Sequence, residues 1–422
     1  MGWGGRRAAG GAVRPLRVLH AITMLELGGA QRNTLDTCRL LDRGRFAVGL
    51  VCADRGELFD EATRLPDVAL FPLRRLRREV RPLDDLRALG ELRRAIRAFR
   101  PDIVHTHSSK AGVLGRLAAR RERVPVIVHS IHGFGFGSHQ AAPVRWAFLA
   151  AERLVAPWTT QFVAVSRRNL EQGVALGLFP CERARVIRSG IDLTAFRKPG
   201  GGGELRRSLG IPAAAPLVVQ VACFKPQKAP ERFVEVAALV ARRVPAAHFL
   251  LVGDGELRGR LEAQRSAVGL DGRLNLPGWR RDIAAVYAAA TVVTLTSRFE
   301  GLPRVLVEAL TAGVPVVAMA VDGVVEVVRD GVNGCLVGEA DTAALAARVV
   351  ELLGDPGRRA ALAARAPEGL DEFDRGTMVR QQESMYEELA RSVGLRRADS
   401  GSGFFSPGPR SPVPGSRGGG GT

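Results

Sequence analysis

Two acidic side chains in one short stretch are the first candidates for chemistry. Residues 297–337 read SRFEGLPRVLVEALTAGVPVVAMAVDGVVEVVRDGVNGCLV and carry Glu300 and Glu308 with seven residues between them. Apolar VVTLTS precedes the first Glu and PVVAMAV follows the second, and both read as buried strands. Glu300 then falls in a glycine loop at the C-terminal end of a strand. Glu308 falls a little over two turns into the helix that this loop opens, at about 1.5 Å of rise per residue. In an open α/β sheet that edge is where ligands bind. Two such carboxylates could be the acid and base of glycoside hydrolysis. Equally, Glu308 could be an exposed helical residue and Glu300 a plain loop residue. The carboxylates alone leave both open.

Three further features could complete a site. Gly28 and Gly29 follow an apolar run, LRVLHAIT, and open a helical stretch. A glycine turn at a helix N-terminus lets unpaired N–H groups approach an anion such as a diphosphate. The turn is not GxGxxG, and no acid is placed to bind a ribose as in dinucleotide folds. Lys225 and Lys228, in ACFKPQKAPERF, are point charges suited to phosphate, or else lie in a solvated loop. Among seven histidines, His105 and His107 alternate on one strand face, and His129 and His132 end the next strand. A metal cluster would need acidic or cysteine ligands at usable spacing, and none accompanies them, so no metal is expected. His105, His107 and His129 read as structural. His132 opens HGFGFG at a strand's C-terminal end, where it can face a cleft and meet a substrate hydroxyl.

These residues need scaffolds. Short apolar runs alternate with helical patterns from residue 16 to about 195 and again from 216 onward. That alternation implies parallel sheets covered on both faces, in two Rossmann-like α/β domains. The domains expected are 15–195 and 216–375, joined by a Gly/Pro/Ala-rich linker at 196–215, KPGGGGELRRSLGIPAAAP in its core. An amphipathic helix at 376–392 could pack back across the domain boundary. Residues 1–14 and 397–422 lack periodicity and read as disordered.

Composition narrows the function classes. The net charge is +18, nearly all of it arginine, because only Lys110, Lys198, Lys225 and Lys228 are lysines. Such a charge fits an anionic partner, and a basic nucleic-acid-binding protein is one alternative. The Ala, Gly, Arg and Pro bias of the whole chain explains most of it, and an aromatic fraction of 5% argues against a base-stacking surface. No specific nucleic acid is therefore expected, though an anionic membrane face remains a candidate partner. Five scattered cysteines without CxxC, and no run long enough to span a bilayer, fit a cytoplasmic protein.

Taken together, SRFEGLPRVLVEALTAGVPVVA, GGAQRNTLD, DIVHTHSSKAGVLGRLAAR, HGFGF, FVAVS and SGIDLTAF are similar, in the same order, to segments of the retaining glycosyltransferases of family four. The resemblance covers roughly residues 16–390. It implies the GT-B fold, two doubly wound domains facing across a cleft, the first binding the acceptor and the second the donor. It implies transfer of a sugar from a nucleotide sugar to a carbohydrate or lipid-linked acceptor, in a setting such as surface polysaccharide assembly, with no cofactor beyond the donor. Glu300 would bind a donor-sugar hydroxyl and support positive charge at the anomeric carbon. Glu308 would bind the ribose. The amides of Gly301 and Leu302 would hold sugar or phosphate oxygens, with Gly28 and Gly29 beside the diphosphate. Lys228 would neutralise the leaving group, His132 would touch the sugar near the transfer point, and Arg280 would lie in the turn that cradles the base. The sequence departs from the family where an arginine is common, at Cys223, and where an asparagine is, at Ser189. A sugar-nucleotide epimerase of the same fold is the nearest alternative. On the acceptor side, APVRWAFLAAERLVAPW at 142–158 is either a membrane-facing helix or, as most apolar stripes are, a core helix of the first domain.

Overall fold

The computed structural model describes residues 14–134 and 141–395. Nearly all of the ends expected to be disordered, and the second half of HGFGFG, lie outside the described residues.

Continuous β-branched runs dictate strands buried on both faces, and they build two parallel sheets. The first holds β1 (Leu16–Ala21), β2 (Phe46–Ala53), β3 (Val68–Leu73), β4 (Ile103–His107), β5 (Val126–Ile131), β6 (Gln161–Ala164) and β7 (Ala184–Val186). Its strand order is β3-β2-β1-β4-β5-β6-β7. The second holds β8 (Leu217–Val221), β9 (His248–Val252), β10 (Leu274–Asn275), β11 (Val292–Leu295), β12 (Val316–Met319) and β13 (Gly334–Val337), ordered β10-β9-β8-β11-β12-β13. Both sheets reverse direction of winding beside their first strand, between β1 and β4 and between β8 and β11. At such a switch point the helices leave to opposite faces and open a crevice at the strand C-termini. All the sequence candidates except Glu308 and Arg280 fall in loops or helix starts at these two crevices.

The stretch expected as a linker is partly structured. Residues Gly202–Ser208 form a helix, and Leu205 and Ile211 are buried in the core of the second domain. The apolar residues in a glycine-rich background found partners on the helix Ile283–Ala289, a tertiary effect that local composition does not carry.

The last helix, Arg375–Ser392, belongs to the other domain's core. Met378, Val379, Met385, Tyr386 and Leu389 pack with Leu16, Val18, Phe46 and Val126 of the first sheet. The chain crosses between domains at Ile191 and again at Asp374, and the crossings bond to each other: Ile191 N–H donates to Phe373 O at 2.8 Å and Arg375 N–H to Ile191 O at 3.0 Å. Among the described residues no helix is long and apolar enough to cross a membrane.

The helix 142–158 corrects an expectation. It runs Ala142–Val155, then a single 3₁₀ turn, and it is not a core helix. Phe148 and Leu149 pack inward, but Trp146 is 71% and Leu154 66% exposed. The apolar residues fall on two stripes of the helix. Trp146, Ala150 and Leu154, spaced by four, share the outer one.

Because the crossing helix completes the first domain's core, Met385→Ala is expected to cost about 2–5 kcal/mol of unfolding free energy. A urea melt followed by tryptophan fluorescence should show the midpoint moving accordingly.

Candidate functional site

The loop after β11 is built around Glu300, which is 4% exposed. Lys228 Nζ lies 2.7 Å from each of its carboxylate oxygens, Ser297 Oγ donates to Oε1 at 2.6 Å, and the Glu300 amide donates to Asp322 Oδ2 at 2.9 Å. Lys228 arrives from the short turn after β8, the neighbour of β11, so adjacent strands at the switch point bring the two charges together. Burial would pull the Lys228 ammonium down, but Glu300 and Cys223 outweigh it and the net direction is up. Asp322, at the end of β12, has its carboxyl raised by burial.

Glu308 lies in the helix that follows this loop. The helix starts at Arg304, after Pro303, and not at the glycine, so Glu308 sits little more than one turn in. Tyr287 Oη donates to Glu308 Oε2 at 3.0 Å. Burial raises the Glu308 carboxyl above its usual 4.5, against the opposing pull of Arg304 and the tyrosine. The two glutamates share no partner. Glu300 is tied to a lysine and Glu308 to a tyrosine.

The first domain meets this loop backbone to backbone. A Cβ on Gly301 would stand 2.1 Å from His132 O and 3.0 Å from Gly133 N, and Gly133 itself has φ +113°. Only glycine fits at 301, and only glycine is unstrained at 133. Gly28 N-caps the helix Gly29–Leu40 with no side-chain cap, leaving the first-turn amides turned to the crevice. Arg304 Cδ would be 3.1 Å from a Cβ on Gly29, so the second domain's helix start faces the first domain's. Among the described residues no acceptor takes the amides of Gly301 or Leu302. Two sets of backbone donors and one ammonium thus border the crevice where an anion would bind.

His132 also borders the crevice, bonded through Nε2 to His107 Nδ1 at 3.0 Å. It lines a largely apolar cavity of ≈ 220 Å³ with Ile131, Phe134, Phe162, Phe179 and Glu152. His20, His105 and His107 place ligating atoms within 4.8 Å of one another. Five of their six ring nitrogens are hydrogen-bonded to side chains, and no carboxylate or thiol joins that cluster, which is a poor match for a metal site.

Arg280 does not join the others. It forms a two-pronged pair with Asp282, at 2.9 and 2.6 Å, in the loop after β10. Lys225, three residues before Lys228, turns to the other domain and bonds Glu26 at 3.2 Å. Four residues escaped sequence reasoning: Ser297, Asp322, Tyr287 and Arg304. Arg304 carries the clearest signal, standing four residues before Glu308 and hence on its face of the helix. It donates to Gly190 O and reaches the field of Asp36; burial lowers it while Glu308 and Asp36 pull it up.

The family described as Glycosyltransferase Family 4 matches residues 27–195, and that described as Glycosyl transferases group 1 matches residues 203–369. The chain is 32% identical over 326 residues to the UDP-Gal:alpha-D-GlcNAc-diphosphoundecaprenol alpha-1,3-galactosyltransferase of Escherichia coli, covering 76% of this chain and 81% of that one. It is 30% identical to the D-inositol 3-phosphate glycosyltransferase of Thermobispora bispora, covering 70% of this chain and 72% of that one. Among solved structures, Anabaena Alr3699/HepE in complex with UDP and glucose superposes with a TM-score of 0.77 at 24% identity, over 88% of this chain and all of that one. The fold is accordingly GT-B.

The backbone contact between domains makes a sharp test. Gly301→Ala cannot keep the His132 carbonyl where it is, so the domains should part. Small-angle scattering is expected to report a larger radius of gyration, with the melting temperature changing by only a few degrees; an unchanged radius would mean the contact can yield locally.

Proposed function

The chain belongs to glycosyltransferase family 4, and from that premise we propose that it moves a hexose from a uridine-diphosphate sugar to a lipid-linked, diphosphate-bearing glycan, with retention of anomeric configuration. The observation that carries the proposal is the Lys228–Glu300 pair at the edge of the second sheet, facing the uncapped helix start at Gly28 and Gly29 across the Gly133–Gly301 contact. The uridine and the lipid diphosphate are drawn from the name of the E. coli relative. Assembly of a cell-surface polysaccharide or glycolipid is the setting this acceptor suggests.

Glycosyl transfer builds positive charge on the anomeric carbon while negative charge collects on the departing diphosphate. On this reading Lys228, the amides of Gly301 and Leu302, and the first-turn amides after Gly28 receive the diphosphate. Glu300 holds a sugar hydroxyl and supports the cationic ring. Glu308 accepts the ribose hydroxyls, with Arg280 beside the base. His132 contacts the sugar near the transfer point. The bond from anomeric carbon to phosphate oxygen breaks, the acceptor oxygen bonds the same face, and its proton leaves with the diphosphate. No protein nucleophile and no metal is required. The exposed stripe at Trp146 and Leu154, flanked by Arg145 and Arg153, would rest on the anionic inner face of a membrane, where a lipid-linked acceptor is held.

The test is to incubate the purified protein with UDP-galactose and GlcNAc-diphosphoundecaprenol. A lipid-soluble disaccharide with an α linkage by NMR is expected. No transfer from any UDP-, GDP- or ADP-sugar would end the proposal, and a β product would end retention alone. Glu300→Gln is expected to lower kcat by about 10²-fold or more. Glu308→Gln should mainly weaken donor binding, by about ten-fold, on the scale of one good hydrogen bond. Unchanged turnover in Glu300→Gln would remove its assignment.

A pH dependence follows from Glu308. Its carboxyl is raised, so on acidification it takes a proton at higher pH than an ordinary glutamate and stops accepting from ribose. Donor Kd, measured by calorimetry, should therefore rise as pH falls toward and through that raised value. The Glu308→Gln protein should lack this rise.

A further inference from the structure

A line of three imidazoles runs from the core of the first domain to the crevice. His20 Nδ1 lies 3.1 Å from His107 Nε2, and His107 Nδ1 lies 3.0 Å from His132 Nε2. Both nitrogens of His107 are thus taken by other histidines. The line ends in two buried nitrogens without a protein partner among the described residues: His20 Nε2 in the core and His132 Nδ1 at the crevice. His105 lies tilted against His107, with ring centroids 4.3 Å apart, but stands outside the line. Its own nitrogens bond Tyr386 Oη at 2.6 Å and Ser130 Oγ at 2.7 Å.

A neutral imidazole has one N–H and one lone pair. Each ring in the line must then accept at one nitrogen and donate at the other, so both bonds point the same way. Neutrality follows from burial, which pushes His20 down to about 3, His132 down to about 4, and His107 well below its ordinary value. Only two arrangements remain. In the first, protons point inward: His132 donates from Nε2, His107 donates from Nε2, and His20 is left with an N–H that meets no acceptor in the core. In the second, protons point outward: His20 and His107 donate from Nδ1, and His132 keeps its proton on Nδ1 at the crevice. The core end then holds only a lone pair. An N–H turned into the core would forgo its hydrogen bond outright, whereas at the crevice a substrate oxygen can take the N–H that remains.

We propose that His107 and His20 are positioning residues that fix His132 as an Nδ1–H hydrogen-bond donor to a substrate oxygen in the crevice. The inference rests on the proposed function only for the identity of that oxygen, which belongs to the sugar donor or its acceptor. It also says what the line does not do. Passing an acceptor proton down to His20 would place a charge on a ring that burial holds neutral, so the line sets direction and is not a proton sink.

The test is a ¹⁵N–¹H spectrum of protein labelled at histidine, recorded at neutral pH. His20, His107 and His132 are each expected to carry the proton on Nδ1, the reverse of the preference of free histidine. Protonation of His132 on Nε2 overturns the proposal and needs no assay of activity. His107→Leu removes both bonds; kcat is expected to fall about ten-fold, the scale of one hydrogen bond, with the donor KM changed less than about two-fold. His107→Asn, whose amide can still donate toward His132, should recover most of the loss. A folded His107→Leu protein with unchanged kcat, or an asparagine variant no better than the leucine one, also overturns it. Should the expected tautomers be found in a protein that transfers no sugar, the functional reading falls and the assignment of the line stands.

Discussion

Two glycines from different domains touch through their backbones, and the arrangement of the crevice depends on that contact. Gly301 lies so close to the His132 carbonyl that no side chain fits, and Gly133 takes a conformation that favours glycine. Side chains would hold the sheets several ångströms further apart. With none, the C-terminal edges of the two switch points face each other directly. The helix start at Gly28–Gly29 then lies opposite Arg304, and Lys225 reaches Glu26 across the seam. The Lys225–Glu26 pair depends on this approach, whereas Lys228 and Glu300 are joined within the second domain by adjacent strands.

The same closeness sets the electrostatics. Lys228 and Glu300 are shielded together, and a buried carboxylate without its cation is costly. On the proposed reading, a diphosphate entering the crevice would compete with Glu300 for the lysine. Ser297 and the amide-bound Asp322 hold the Glu300 loop in place independently of the lysine. Lys225 is spent on Glu26.

Much of this was readable because it is local. Parallel strands declare themselves as unbroken apolar runs, and loops at their C-terminal ends follow from chain direction. That sufficed for the two sheets and for the positions of Glu300, Lys228, His132 and the Gly28–Gly29 turn. What failed was non-local. The partners of Glu300 and Glu308 include Asp322 and Tyr287, each about twenty residues away on another strand or helix, with no spacing rule to reveal them. Leu205 and Ile211 read as linker until a neighbouring helix buried them. Trp146 and Leu154 read as core because a helical stripe says which residues share a face, not whether that face is covered. Pro303 moved the helix start, and with it the depth of Glu308, by a turn.

The crossing of the last helix has a consequence for synthesis. Met385, Tyr386 and Leu389 complete the core of the first domain but leave the ribosome only after the whole second domain. Domains usually fold in order of emergence. Here the first domain must wait, with the inner face of its sheet unsealed, until the whole second domain has been made. The nascent chain is therefore most exposed to aggregation and to chaperone capture in its first half, although that half is made first.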